Sequence, residues 1–545
     1  MGRIPDEFTG VRAEPDAPRG DVEPGHRGAL RFFLVSWLLL AALMTSWALA
    51  TPLFASPDEP GQVIKAVAVA HGQLTGTTVK TGGYFDFETG VQVPAYYKQA
   101  LHETGCFIYD VGRPAGCAPP FAARDTHRAQ VLTWIGRYPP LYYAVVGIPS
   151  LFAQGQAAVL GMRIVSAVLC GALYALGLTG LRTARRSAAM VAAGWLAITP
   201  TALFFGAVVN ASALEIAAGF ATWAILLPLV REPGRHRVGR RLAVGAGTAA
   251  VLLNTRPGSA LLVVLVVACL AVAATGEFWR ALRPWRRWVP TAAIAAVAGL
   301  AAGLWLVLVD PTASLGGVPA PQLAAPSAAV RGALHLSPRY LREQLAVFGT
   351  LNITLYAPLL WLFGAVLAAL VLAGLVFGRW RLRGTILLLL LLSFAVPIVS
   401  QIPTAARLGL IWQGRYGLPM SIGLPMVAMA ALCERPLGAR VARWAALVIT
   451  PIAALVQAAS FGWAFWRYAW GFGHLPFRVP IGWVPPGGFL TPVLFAVADV
   501  ALAVLILLQP GSLLRPARSR TVGQAASGTL RGAGSAVTSA AADPG

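Results

Sequence analysis

Long apolar runs alternate along this chain with short clusters of arginine. The first run, Phe32 to Leu53, contains no charged residue and is long enough to cross a bilayer core of ~30 Å. With 31–53 as the first, further runs near 157–181, 188–207, 210–230, 241–254, 258–275, 289–309, 354–378, 384–402, 417–433, 444–464 and 491–509 predict twelve membrane-spanning helices. The run 241–254 is the shortest of these. Residues 141–153 are also apolar, but they are few and include Pro149. Counting them as a span would put the next arginine cluster on the opposite side of the membrane, so 139–153 read as a juxtamembrane or re-entrant helix.

With that choice the clusters Arg182–Arg186, Arg231–Arg241, Arg280–Arg287, Arg379–Arg383, Arg435–Arg443 and Arg515–Arg520 all lie on one face. This is the positive-inside pattern, with both termini cytoplasmic in the cell membrane. The chain divides into a polar N-terminus expected to be disordered (1–30), one transmembrane domain (31–510), and a Gly/Ser/Ala-rich tail expected to be disordered (511–545). Composition agrees: of 545 residues 57% are hydrophobic and 12% charged, with a mean hydropathy of +0.67, against ~25% charged in soluble domains. The formal charge of +22 is spent on the cytoplasmic clusters, which argues against a nucleic-acid partner. The excess of Ala, Gly and Arg over Lys suits a GC-rich, actinobacterial-type genome.

The first outer loop, 54–153, is the longest polar stretch, and it opens on Ser56-Pro57-Asp58-Glu59-Pro60. Two adjacent carboxylates stand there between helix-stopping prolines, at the point where the first span leaves the membrane. Gly61 to Gly72 has helical apolar spacing and is expected to lie along the membrane surface. Cys106 and Cys117 are a disulfide candidate if the loop faces an oxidising compartment. His71, Arg137 and Tyr138 are candidates for substrate contact.

Elsewhere on the outer face, Arg256, Arg407 and Arg415 sit at span mouths, against the inside bias. Arginines so placed are costly, and their planar forks match phosphate oxygens. Asn210, Glu215, Gln413 and Tyr416 add polar groups close by in sequence to span ends. Carboxylates beside anion-binding arginines at an apolar boundary suit transfer from a lipid phosphate. A carboxylate takes the proton of an incoming hydroxyl while cations hold the departing phosphate. The metalloprotease, Walker and serine-hydrolase templates find no match.

Asp-Glu after the first span, a long loop ending in Tyr138-Pro139-Pro140-Leu141-Tyr142-Tyr143, and Arg163 in the next span resemble the GT-C superfamily of polyprenyl-phosphate-dependent glycosyltransferases. More narrowly, Thr199-Pro200, Asn210, Glu215, Arg256-Pro257 and Gln413-Gly414-Arg415-Tyr416 with Pro419 are similar to a bacterial integral-membrane family of unknown function allied to it. The resemblance implies an all-α, GT-C-like bundle of about 12 helices, and an inverting transfer from a polyprenyl-phosphate sugar to an envelope glycan or lipid-linked acceptor. Asp58 would be the base. Glu59 would support it or help bind a divalent cation (Mg or Mn) as some relatives do. Arg415, then Arg256, would hold the donor phosphate. A large C-terminal outer domain, common in GT-C enzymes, is missing from the pattern. A transporter or flippase of lipid-linked sugars and a non-catalytic envelope-assembly protein remain alternatives.

Overall fold

The computed structural model describes residues 26–509 apart from 83, 85, 86, 103, 104, 312–315 and 477. The tails expected to be disordered lie outside the described residues, except for 26–30, which open the first helix. The described chain is predominantly helical. In order it comprises α1 (His26–Ala50), α2 (Glu59–Ala70), α3 (Leu141–Val146), α4 (Gly155–Leu181), α5 (Ser187–Ala197), α6 (Pro200–Gly206), α7 (Ala211–Arg231), α8 (Val238–Leu253), α9 (Ser259–Ala273), α10 (Gly276–Ala281) and α11 (Val289–Val309). It continues with α12 (Pro326–Leu345), α13 (Ala357–Phe377), α14 (Trp380–Val399), α15 (Ala405–Leu408), α16 (Leu418–Ser421), α17 (Gly423–Leu432), α18 (Pro436–Ala469) and α19 (Leu490–Leu507).

Among the described residues eight helices are long and apolar enough to span a membrane: α1, α4, α7, α11, α13, α14, α18 and α19. A ninth arises if α5 and α6 count as one span bent by 68°. The bend has a local cause. Pro200 occupies the first turn of α6, and the Thr199 hydroxyl caps that helix by accepting from the Ala202 N–H at 3.2 Å. The other expected spans are short helices. α9 has 15 residues, or ~22 Å at 1.5 Å per residue, less than the hydrocarbon thickness. The chain is a multi-pass membrane protein; of the twelve expected spans, eight are single helices of that kind among the described residues, or nine with the bent pair.

α7 lies at the centre, with 94% of its most apolar window buried, whereas α11 has 6% buried and stands at the periphery against α8. Two elements are more enclosed or more regular than their sequence suggests. α2 is enclosed by protein: nearly every residue from Glu59 to Val69 is buried. The stretch 310–353, expected to be an outer loop, contains the 20-residue α12. Its buried positions Ala329, Ala333, Ser337, Tyr340 and Gln344 recur at helical spacing behind an otherwise polar face.

The stretch between α1 and α4 folds around a three-stranded antiparallel sheet of β1 (Thr77–Lys80), β2 (Phe87–Pro94) and β3 (Arg128–Thr133), with Val91 opposite Val131 and both buried. A second hairpin, β4 (Val347–Phe348) with β5 (Ile353–Thr354), follows α12. Lys65 of α2 is buried beneath the sheet, donating to the carbonyls of Leu74 and Gly136 at 2.5 Å each. Cys106 and Cys117 are disulfide-bonded. Arg467, at the end of α18, donates to the carbonyls of Phe107, Asp110 and Arg113 at 2.7, 3.1 and 2.8 Å and fastens that loop to the bundle.

Candidate functional site

The turn after α1 carries Asp58 and Glu59, which serve different purposes. Asp58 has a left-handed backbone (φ 62°) and precedes α2 without capping it through its side chain. That conformation is unusual outside Gly, Asn and Asp. It sends the two neighbouring carboxylates to different partners.

Glu59 is fully buried in a bidentate pair with Arg163 of α4, both bonds at 2.7 Å. Its Oε1 also accepts the N–H of Val209 at 3.1 Å. Arg163 spends its remaining N–H groups on the carbonyls of Ala48, Thr51 and Pro52, capping the C-terminal end of α1. The structure thus assigns Glu59 a bracing position beneath the turn. Asn210 braces it too: its Nδ2 donates to the Pro57 carbonyl at 2.8 Å while its Oδ1 caps α7 through the Ser212 N–H at 3.0 Å.

Asp58 instead stays part-exposed. Its Oδ2 accepts from Arg415 Nη2 at 2.5 Å and its Oδ1 from the Trp134 indole at 3.3 Å. Arg415 is 2% exposed, yet its Nε and Nη1 have no hydrogen-bond partner among the described residues. The guanidinium lies 5.1 Å from the Phe205 ring and 5.0 Å from the Tyr416 ring. Its backbone is held by Glu343 of α12, whose Oε2 accepts the Gly414 N–H at 2.7 Å. Any Cβ at Gly414 would sit 2.3 Å from the Tyr340 carbonyl oxygen, so only glycine permits this approach.

Tyr416 joins Arg415 to Arg256. Arg256 lies 4.3 Å over the same ring, 5.8 Å from the Tyr138 ring, and pairs with Glu215 at 3.0 Å. Glu215 takes a second bond from Ser259 Oγ at 2.6 Å, so its position in α7 is explained as a buried countercharge to Arg256. Burial pushes the Tyr138 phenol above its usual range. Burial, and then the charge of Asp58, do the same to Tyr84.

Asp58, Arg415, Tyr416, Arg256, Tyr138 and Glu215 are therefore joined in one constellation, with Asn210 beneath it and Gln413 at its edge, the Gln413 Oε1 buried without a partner. Other candidates lie apart. Arg137 bridges the carbonyls of Val309 and Asp310 to Thr78 Oγ1. His71 closes the end of α2 on the Val67 carbonyl. Arg407 is exposed on α15, in the segment that precedes the Gly-Arg-Tyr turn. Trp134 and Phe205 belong to the site but carried no sequence signal, since they reach it from segments distant along the chain.

The donor set does not suit a divalent cation. One Asp58 oxygen faces a guanidinium and the other an indole N–H, Glu59 is consumed by Arg163, and among the described residues no three His, Cys, Asp or Glu side chains gather as a metal site. Beside the Gly-Arg-Tyr turn an apolar cavity of about 770 Å³ opens between α12, α13, α14 and α16, lined among others by Thr199, Gln344, Leu345, Gly364 and Ser421. Its Gln344 and Ser421 are hydrogen-bonded to each other at 2.6 Å.

No curated protein and no solved structure matches the chain. A family model does, over residues 40–424, a stretch that includes the Asp58 turn, Arg256 and the Gly-Arg-Tyr element. The chain belongs to the family described as predicted membrane protein (DUF2142).

Proposed function

We propose that this chain is a GT-C-like glycosyltransferase that moves a sugar from a polyprenyl-phosphate donor to an envelope glycan or lipid-linked acceptor at the outer face of the cell membrane. One observation carries the reading. A part-exposed carboxylate, Asp58, meets a buried arginine with two unpartnered N–H-bearing nitrogens, next to an apolar cavity large enough for part of a lipid chain.

In this mechanism the donor phosphate takes the free face of the Arg415 guanidinium and competes for the Nη2 now given to Asp58. The carboxylate so released accepts the proton of the acceptor hydroxyl. The hydroxyl oxygen forms a bond to the anomeric carbon as the bond from that carbon to the phosphate oxygen breaks. The anomeric configuration inverts, and polyprenyl phosphate departs with its charge held by Arg415. Arg256 and Tyr416 border the same space. The polyprenyl chain occupies the α12–α14 cavity. Orientation by the arginine clusters sets both termini in the cytoplasm.

Purified protein would be offered a panel of radiolabelled polyprenyl-phosphate sugars with membrane-lipid acceptors, comparing the parent with Asp58→Asn and Arg415→Ala. Transfer by the parent that is lost in Asp58→Asn is the expected result. Donor binding with no turnover across the whole panel would overturn the reading in favour of a transporter.

A further inference from the structure

At the other end of the bundle, the first turns of α5 and α18 and the last turn of α19 leave a crevice of about 70 Å³ between them. α4 rises ~27 Å from Arg163, the partner of Glu59, to Leu181, close to a hydrocarbon thickness, so this crevice lies far from the constellation. It stays open because small residues face one another there, among them Ala189 of α5 and Ala442 and Ala446 of α18. Its charged lining is Arg185, Arg186 and Arg443, and no acid lines it.

These three arginines differ from their neighbours at the same end. Arg182 donates to the Gly28 carbonyl at 3.1 Å, Arg241 to the Ile225 and Gly180 carbonyls at 2.7 and 2.8 Å, and Arg381 to the Ala274 carbonyl at 2.5 Å. Arg231 is paired with Glu434. The side chains of Arg185, Arg186 and Arg443 make no hydrogen bond or ion pair among the described residues, and the Arg443 Nε is buried without a partner. Glu232 takes the Arg185 backbone N–H at 3.0 Å and pairs with Arg235, not with the Arg185 guanidinium. The first turn of α5 adds donors to the same wall. Met190 makes its first helical bond, to the Arg186 carbonyl at 3.1 Å, so the N–H groups of Ala188 and Ala189 have no backbone partner among the described residues.

We propose that this crevice is a binding site for an anionic phosphate group, separate from the constellation and independent of the transfer reading. Forked cationic donors, unmatched N–H groups and the lack of an acid match phosphate oxygens. The volume also fits: it holds about five water-sized groups, the number of heavy atoms in a phosphate. The same chemistry serves a lipid head group or a soluble phosphate. Trp444 and Val448 are exposed on the adjoining face of α18, so the crevice opens beside a surface suited to lipid. A phosphate held there ties the start of α5 to α18 and α19 and raises the stability of the folded chain.

The test uses the full chain, delipidated in a neutral detergent and immobilised. Radiolabelled phosphatidic acid, phosphatidylcholine of the same chain length and inorganic phosphate are titrated by scintillation proximity, and melting temperature is followed in parallel. The parent is compared with three variants. Arg443→Gln removes a lining cation, Ala446→Leu fills the crevice while keeping every charge, and Arg440→Gln removes the same charge from an exposed position of α18 outside it. Phosphatidic acid should bind the parent and raise its melting temperature. Its affinity should fall about tenfold in Arg443→Gln and in Ala446→Leu, the scale of one charge-assisted hydrogen bond, and by less than about twofold in Arg440→Gln.

Inorganic phosphate that binds with the same pattern of losses shows that the phosphate group alone suffices and that a soluble phosphate can fill the site. Phosphatidic acid binding without inorganic phosphate assigns it to a lipid head group. Binding of neither ligand, or equal binding of phosphatidylcholine, would overturn the site. So would equal losses in Arg443→Gln and Arg440→Gln, which would mark a diffuse basic surface. Arg443→Gln decides the matter even if Ala446→Leu fails to fold, because the Arg443 side chain holds no other described residue in place.

Discussion

Replacing Glu59 by Gln tests whether the two adjacent carboxylates really divide their labour. Glu59 and Arg163 are both 0% exposed, and Glu59 offers one oxygen to Arg163 Nε and the Val209 N–H and the other to Arg163 Nη2. A glutamine that keeps its carbonyl oxygen toward Nε and Val209 must turn its NH2 toward Nη2, setting donor against donor. It also leaves the Arg163 charge buried without its counterion. Breaking such a pair from one side costs about 3–5 kcal/mol, which for a chain of this size lowers the melting temperature by roughly 3–5 °C. Thermal unfolding in detergent followed by tryptophan fluorescence would measure it, with transfer assayed well below the transition. Glu59→Gln should melt early yet turn over normally per folded molecule. Asp58→Asn should melt within about 1–2 kcal/mol of the parent, the scale of one part-exposed charged hydrogen bond, yet lose about 10²-fold or more of its rate. A Glu59→Gln protein that keeps the parent's melting temperature and loses transfer would refute the division.

Further outcomes follow from the same geometry. Arg415→Lys keeps the charge but not the planar fork that can serve Asp58 and a phosphate together, and should lower kcat/KM about 10²-fold, as loss of an oxyanion donor does. Gly414→Ala puts a methyl 2.3 Å from the Tyr340 carbonyl oxygen; a loss of about 1–3 kcal/mol in unfolding stability should accompany loss of turnover as Arg415 is displaced. Cys106→Ser opens the 106–117 bridge and should cost about 2–3 kcal/mol, visible as a melting shift that reductant reproduces in the parent and not in the variant. Burial holds Lys65 at about 7, below the ~10.4 of an exposed lysine, so between these values the unfolded chain binds a proton that the folded chain has released. Stability should therefore rise as pH is raised from about 7 towards 9, and Lys65→Met should flatten that rise.

Asp58, Arg256, Arg415 and Tyr416 are legible in the sequence, because charges set at span mouths against the inside bias have few structural excuses. The different fates of Asp58 and Glu59 are not, since composition and position treat neighbours alike. A left-handed φ of 62° and an arginine more than one hundred residues away separate them. Glu215 reads as an intramembrane acid but not as the partner of Arg256, a pairing made across α7 and the turn after α8. Hydropathy registers apolar runs without their bends or breaks: Thr199-Pro200 turns one run through 68°, and the runs at α8, α9 and α16–α17 form shorter helices. α12 is missed for the opposite reason. Its small and polar residues hide a helical stripe that only the packing of α14 and the Gly-Arg-Tyr turn makes apparent.

The pairing of Asp58 with Arg415 spans 357 positions of sequence, and the carbonyls of Phe107, Asp110 and Arg113 wait equally long for Arg467, at separations of 360, 357 and 354. At ~5–20 residues per second, a ribosome needs roughly 20–70 s to supply those partners. During that interval the loop after α1 has its carboxylate without Arg415 and its disulfide-closed turn without Arg467. Biogenesis of this protein is thus a matter of delayed completion. A chain stalled before the Gly-Arg-Tyr turn lacks Arg415 and has no centre. One stalled before the end of α18 leaves the 106–117 turn without the arginine that fastens it to the bundle.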